Sequence, residues 1–307
     1  MKILLCGLLC SALGLIAAST TEDWSNVDVT PLTELNSPGI DCLPSLSADG
    51  KILFFVSNRK TTLRISAGME GAEIEDSSQN IWLAFRLPNG SFEHISPSVG
   101  LNKEQLGDGS LCPGLEKNVC FFAACDRRDG YGTSDIYMQT DKKVAEKAHM
   151  SEVFNLGHEI NSRHWEGTPV VAPDGTLYFA SDRPGGHGGM DIWFSRYDAA
   201  NKKWAPVQNA GPEINTPGDD MAPAMSPDGK QMVFASTGHT PSFGDYDLYI
   251  CTLISSGKAT KPVNLGEKIN SPRKEVGAWF TPEGDILYFA SAREKSTNLD
   301  LYQAKLH

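Results

Sequence analysis

Three kinds of polar side chain recur in this sequence at spacings that could do chemistry. A carboxylate, Asp41, Glu166, Asp220 or Glu275, stands three residues before a proline or its equivalent, with Ser110 at that place in the second copy. An arginine, Arg59, Arg127, Arg183 or Arg293, closes the apolar run that follows, and the fourth copy has Thr237 or Gly238 there. An Asp or Asn then opens the next run: Asn80, Asp135, Asp191, Asp247 and Asp300. A guanidinium is a planar fork that can bridge two carboxylates, so one reading is a structural ion pair repeated once per unit. The other is a glycoside hydrolase, which would use two or three of these carboxylates around the axis, two of them roughly 5 to 9.5 Å apart and one with a raised pKa, as acid and nucleophile or base. Repetition favours the first, because a catalytic centre needs differentiated groups.

Function is therefore sought where the repeat breaks. The fourth copy lacks the arginine but keeps Asp219, Asp220, Asp245 and Asp247. This surplus charge could hold a hard cation such as Ca²⁺, with Asp219, Asp220 and Asp245 as oxygen ligands, dock the basic tail of a partner, or form a solvated acidic rim. The third copy adds His164 and Trp165; an exposed Trp suits a binding hot spot or a sugar platform, and an inward one a wedge between units. Exposed Trp165 or Tyr131 beside a repeated pocket would signal a lectin. No Gly-x-Ser-x-Gly elbow, phosphate loop or His-Glu-x-x-His occurs, so serine-hydrolase, nucleotide and zincin chemistries have no support.

The elements that must position these groups are short strands. In the third copy TPVVAPDG, LYFASDR, DIWFSR and WAPVQN spell four strands, with Asp174-Gly175 marking a type I′ hairpin. Aromatic and β-branched residues crowd both faces of these strands, which fits sheets buried on both sides. The hairpin position recurs at Asp49, Lys117-Asn118, Asp174, Asp228 and Glu283; the last steps are 54 to 56 residues, and the first is lengthened by an insertion between Lys60 and Gln79. Five units of four strands, none able to bury both faces alone, predict an all-β, five-bladed β-propeller of antiparallel blades. The expected blades span about 41–100, 101–158, 166–210, 220–266 and 275–307. The last has three strands, and Trp24 to Thr30 followed by LTELNS matches KWAPVQNAGPEINT, so 24–30 should close the ring. Strand direction gathers the arginine-ended links and the inter-blade segments on one loop face, where binding on a rigid scaffold resides.

Composition bounds the rest. Met1-Lys2 followed by an apolar run to Ala17-Ala18-Ser19 reads as a cleaved secretory signal over 1–19. A lipoprotein anchor fits less well, since leucine precedes both Cys6 and Cys10. No second apolar run is long enough to span a membrane. The whole chain carries a formal charge of −11 with no basic stripe, which argues against nucleic acid as a partner. Five cysteines follow the signal, an odd number. With Asn118-Val119 as the turn of the second unit, Cys112 faces Cys125, the expected disulfide.

The strings SPDG (Ser226 to Gly229), LYFASDRPGG (Leu177 to Gly186) and GGMDIW (Gly188 to Trp193) resemble the WD40-like propeller repeat found in the periplasmic protein TolB and related envelope proteins. The resemblance implies a propeller, a Gram-negative envelope location, periplasmic or secreted, and binding of an envelope protein or glycan, with the chain expected to be a monomer and not an enzyme. TolB-like proteins usually have six blades and a separate N-terminal domain, so only the general binding face carries over.

Overall fold

The computed structural model describes residues 24, 26–64, 73–76, 78–98, 101–102, 108–145, 148–293 and 298–307. The expected signal segment lies outside them. The described residues form a five-bladed β-propeller without helices. From the axis outward, blade one is Asp41–Leu46, Ile52–Ser57, Asn80–Arg86 and Phe92–Pro97. Blade two is Asp108–Pro113, Val119–Cys125, Ser134–Ala145 and Ala148–Asn155. Blade three is Glu166–Val171, Thr176–Ser181 and Asp191–Asp198, with its outer strand split into Lys203–Trp204 and Gln208–Asn209. Blade four repeats this with Asp220–Met225, Gln231–Ser236, Asp247–Ser255, Lys258–Ala259 and Val263–Asn264. Blade five takes Glu275–Phe280, Ile286–Ser291 and Asp300–Leu306 from the C-terminal end.

Its fourth strand is Val27–Pro31, antiparallel to Asp300–Leu306 with Val27 opposite Leu306. Ring closure is as expected, although Trp24 precedes the strand and buries its ring edge-on to Phe280. The closure reuses a clamp found at every joint. Asn36 accepts the Leu301 N–H at 2.7 Å and returns a bond to the Leu301 carbonyl at 3.1 Å. Asn102 holds Ile81, Asn161 holds Ile136, Asn215 holds Ile192 and Asn270 holds Leu248 in the same two-bond fashion. Each asparagine satisfies both backbone groups of a buried residue, which would otherwise cost about 1–3 kcal/mol per unmet group.

Every inner strand carries a bulge. Leu43, Ser110, Thr168, Ala222 and Gly277 all have positive φ, a region that costs a side-chain-bearing residue energy. The same strain at the same place in five blades means the kink belongs to the architecture. It turns Pro44, Pro169, Pro223 and Trp279 toward the axis, where the cavity is only about 20 Å³, room for about one water. In the closing blade the kink falls on Gly277, and a Cβ there would stand 2.7 Å from Leu43.

Blade two departs from the sequence expectation. Its first hairpin closes with Gly114 N–H to the Val119 carbonyl and Val119 N–H to the Glu116 carbonyl, earlier than an Asn118-Val119 turn would. Cys112 therefore lies opposite Phe121, and Cys125 opposite Ser134. No Cys112–Cys125 bond is present. The same register puts Asp108, two residues before the kinked Ser110, at the place taken by Asp41 and Glu166 in their blades.

Candidate functional site

The first-strand carboxylates are buried latches. In blade three Glu166 is fully buried; it accepts the Ser162 N–H at 2.7 Å, the Ser162 hydroxyl at 2.5 Å and the Ser181 hydroxyl at 2.8 Å, and pairs with Arg183 at 3.0 Å. Arg183 lies over the rings of Phe179 and Trp193 and donates to the Ile160 carbonyl at 2.6 Å. Desolvation holds the Arg183 pKa below the usual arginine value, opposed by Glu166. Asp41 with Arg59 at 2.6 Å, and Glu275 with Arg293 at 3.9 Å, repeat the design. Burial pushes the Glu275 carboxyl up, against the bonds from Ser271 and Ser291 and the charge of Arg293. In blade two Arg127 sits over Phe122 and Tyr137 and donates to the Leu101 carbonyl.

Among the described residues Arg59, Arg183 and Arg293 each meet the first-strand carboxylate of their own blade. The third-strand acids serve the links instead. Asp135 accepts the N–H groups of Tyr131 and Gly132, Asp191 those of His187 and Gly188, and Asp247 those of Phe243 and Gly244. Desolvation raises the carboxyl pKa of Asp135 and of Asp300.

Blade four does have an occupant at the arginine position, one residue beyond the expected Gly238. His239 offers Nε2 to the Ile214 carbonyl at 2.8 Å and packs against Phe234 and Tyr249. Its Nε2 is 3.9 Å from Asp220 Oδ1, outside hydrogen-bond reach, and the other Asp220 oxygen takes the Thr216 N–H and hydroxyl. Burial pushes the Asp220 carboxyl up.

Asp219, Asp220 and Asp245 do not converge on a cation site among the described residues. Asp219 is spent on the joint between blades three and four, accepting the Met190 N–H at 2.9 Å and the Tyr246 hydroxyl at 2.6 Å; Tyr246 is pushed above the usual tyrosine range, first by burial and then by Asp219. Asp245 is exposed and Asp220 buried. His164 is exposed, with Nδ1 3.9 Å from Asp182. Trp165 is half-buried, bridged to Ser134 of blade two and lying over Gly167, so it serves as a wedge between blades.

What the loop face presents is a row of rings. Tyr131 is 50% exposed and Phe243 43%, and His187 is exposed between them in the ring order. Each is the residue four before its third-strand aspartate, and each gives that aspartate its N–H. Sequence reasoning singled out Tyr131 alone; the spacing to Asp135, Asp191 and Asp247 was the available signal. On the opposite, hairpin face the axis opens into a basin of about 280 Å³ lined by Leu115, Pro173, Met225, Pro227, Trp279 and Pro282.

The blade geometry has solved counterparts. An arabinanase from Bacillus subtilis superposes with a TM-score of 0.51 at 12% identity, covering 87% of this chain and 94% of its own. A luciferin-regenerating enzyme gives 0.50 at 14% identity, covering 91% and 95%. TolB from Acinetobacter baumannii gives 0.47 at 18% identity over 88% of this chain, which spans 55% of the TolB chain. The likeness is one of fold. No family model matches the sequence, and no curated protein does. At such identities the chemistry of a propeller has to be argued from its own side chains.

Proposed function

We propose that this chain is an exported, non-catalytic binding protein of the bacterial cell envelope that docks a protein or glycan partner on its loop face. The observation that carries this reading is the ring row Tyr131, His187 and Phe243, three solvent-facing side chains at one repeated position on three successive blades. Exposed aromatics on a rigid frame bury large area at low entropic cost when a partner arrives. Two further features support it. The carboxylates that a hydrolase would need, Asp41, Glu166, Asp220 and Glu275, are all fully buried and each is bonded within its own latch. The axis, where acid and base would have to meet a sugar, is closed to about 20 Å³. Envelope location rests on the signal-like N-terminus and the TolB-type repeat strings.

Affinity purification of the tagged mature chain from envelope extract, compared with Tyr131→Ala/Phe243→Ala and with Leu115→Ser on the opposite face, tests the reading. The loop-face double variant should lose the partner, protein or glycan, while Leu115→Ser keeps it. A partner retained by the double variant, or glycan hydrolysis by the wild type, would overturn it.

A further inference from the structure

The joint between blades three and four is built differently from two of its counterparts. In blades one and three one register between the third and outer strands, Arg86 with Phe92 and Tyr197 with Trp204, puts a ring on the outer strand. Phe92 covers Tyr288 of blade five, and Trp204 covers Phe121 of blade two, with ring centroids 5.9 and 6.4 Å apart. In blade four the same register pairs Leu253 with Ala259, so an alanine stands where a ring would cover Tyr178 of blade three. Phe194 of blade three takes up part of that room. It packs on Tyr178 with centroids 5.7 Å apart and lies against Gly257, where a Cβ would stand 3.0 Å from it. Beside these rings a cleft of about 400 Å³ stays open at the hairpin end of the joint. That volume falls in the range of small-ligand sites, which run from about 300 to 1,000 Å³.

The wall from blade three is polar. Arg196 donates from Nη2 to the Asp174 carboxylate at 3.2 Å and to the Ser256 hydroxyl of blade four at 2.8 Å, and from Nε to the Thr176 hydroxyl at 3.2 Å. These bonds leave the two Nη1 donors for a ligand. The side chains of Arg196 and Asp174 are 59% and 55% exposed, so both are reachable from solvent. Ser256, Asp174 and Arg196 are the groups that act on the Tyr178 phenol, which puts its hydroxyl at this wall. Burial raises the phenol pKa, so the hydroxyl stays a donor. The wall from blade four joins Asp228, met by Lys230 at 3.2 Å, to an apolar surface of Leu253 and Ile254, the latter 70% exposed. Both carboxylates are thus answered by a cation in place. An ion entering the cleft would give up water and meet no unpaired opposite charge, whereas an uncharged molecule can use the donors and acceptors that remain.

We propose that this cleft binds an uncharged saccharide of one or two rings, with hydroxyls donated to Asp174 and Asp228, a hydroxyl oxygen accepting from Arg196, and the C–H face of a ring against Ile254. A sugar ring combines what the two walls call for: donors and acceptors together at its edge, an apolar face, and no charge. The alanine at a ring position and the exposed isoleucine beside paired polar groups are what separate this cleft from a packing gap. The site lies at the opposite end of the propeller from Tyr131, His187 and Phe243 and does not depend on what they dock.

The probes are three neutral disaccharides of different stereochemistry, cellobiose, lactose and N,N′-diacetylchitobiose, each titrated against the mature chain by saturation-transfer NMR. At least one should give a saturable signal. Arg196→Ala should weaken that binding about tenfold or more, as expected for losing hydrogen bonds to a charged donor, and Ile254→Ser about threefold, through lost apolar contact. Both positions are exposed, so both variants should keep the wild-type circular dichroism. Because the ligand carries no charge, its affinity should stay within about twofold between 50 mM and 500 mM NaCl. Tyr131→Ala/Phe243→Ala, on the loop face, should bind as wild type. The proposal is overturned by the absence of a saturable signal from all three sugars, by wild-type affinity in Arg196→Ala or Ile254→Ser, by a larger salt dependence, or by loss of binding in the loop-face double variant.

Discussion

Blades three and four solve one problem with different side chains. In blade three a guanidinium spans a buried glutamate, a carbonyl and two rings; in blade four an imidazole reaches the carbonyl and the rings but not the aspartate. Across the five blades the carbonyl bond and the aromatic contacts persist, while the ionic separation varies from 2.6 Å in blade one to 3.9 Å in blades four and five. The latch therefore needs a flat donor that caps the inter-blade carbonyl between two rings. Ion pairing is what individual blades add. This fits the general finding that a buried pair contributes little beyond an apolar substitute, yet is costly to break from one side.

The comparison can be broken most strongly at Arg183. Arg183→Ala strands a buried Glu166 and should cost about 3–5 kcal/mol, seen as a lower urea midpoint. Next comes His239→Ala, which leaves the Ile214 carbonyl unmet without exposing a broken ion pair; about 1–3 kcal/mol is expected in the same assay. Arg183→His should fall nearer to the His239→Ala loss than to that of Arg183→Ala, because it keeps a flat donor; a loss equal to that of Arg183→Ala would show that charge is the essential part.

A smaller effect is pH-dependent. Burial raises the Asp220 carboxyl pKa, so the folded chain takes up a proton at higher pH than the unfolded chain, whose aspartates titrate near about 3.9. The stability from this group is complete below the unfolded value and is lost as pH rises through the folded one. Wild type should therefore gain on Asp220→Asn as pH is lowered from 7 toward 4, by at most about 1.4 kcal/mol per pH unit, in paired unfolding curves. Smallest of all, Tyr131→Ala and Phe243→Ala should each change stability by less than about 0.5 kcal/mol, as surface residues away from caps and core do.

The blade count and the closing strand could be read from the residues because each repeats with its neighbours; the Asp-Gly hairpins are placed as expected but are not type I′, since Gly175 alone has positive φ and its N–H returns to the Ala172 carbonyl, a type I turn followed by a left-handed glycine. LTELNS matched the inter-blade strings for a physical reason, since Asn36 makes the same two-bond clamp as Asn161 and Asn215. His239 was hidden because the link after Ser236 is one residue longer than that after Ser181, and alignment by string set Gly238 against Arg183. Asp108 and the Cys112 register were missed for a related reason: the second hairpin lacks its Asp-Gly, and a kink two residues after the acid cannot be counted from composition. The acidic surplus of blade four looked like a site because charge is visible in a sequence, whereas the Met190 N–H and Tyr246 hydroxyl that Asp219 accepts are not.

The claim that buried acids hold the scaffold while exposed rings do the binding is tested most directly by placing a photo-crosslinking amino acid at position 131, 243 or 115 in the intact envelope. Positions 131 and 243 should capture the same partner, and position 115 should not. Capture from 115 with silence at both loop-face positions would contradict the account.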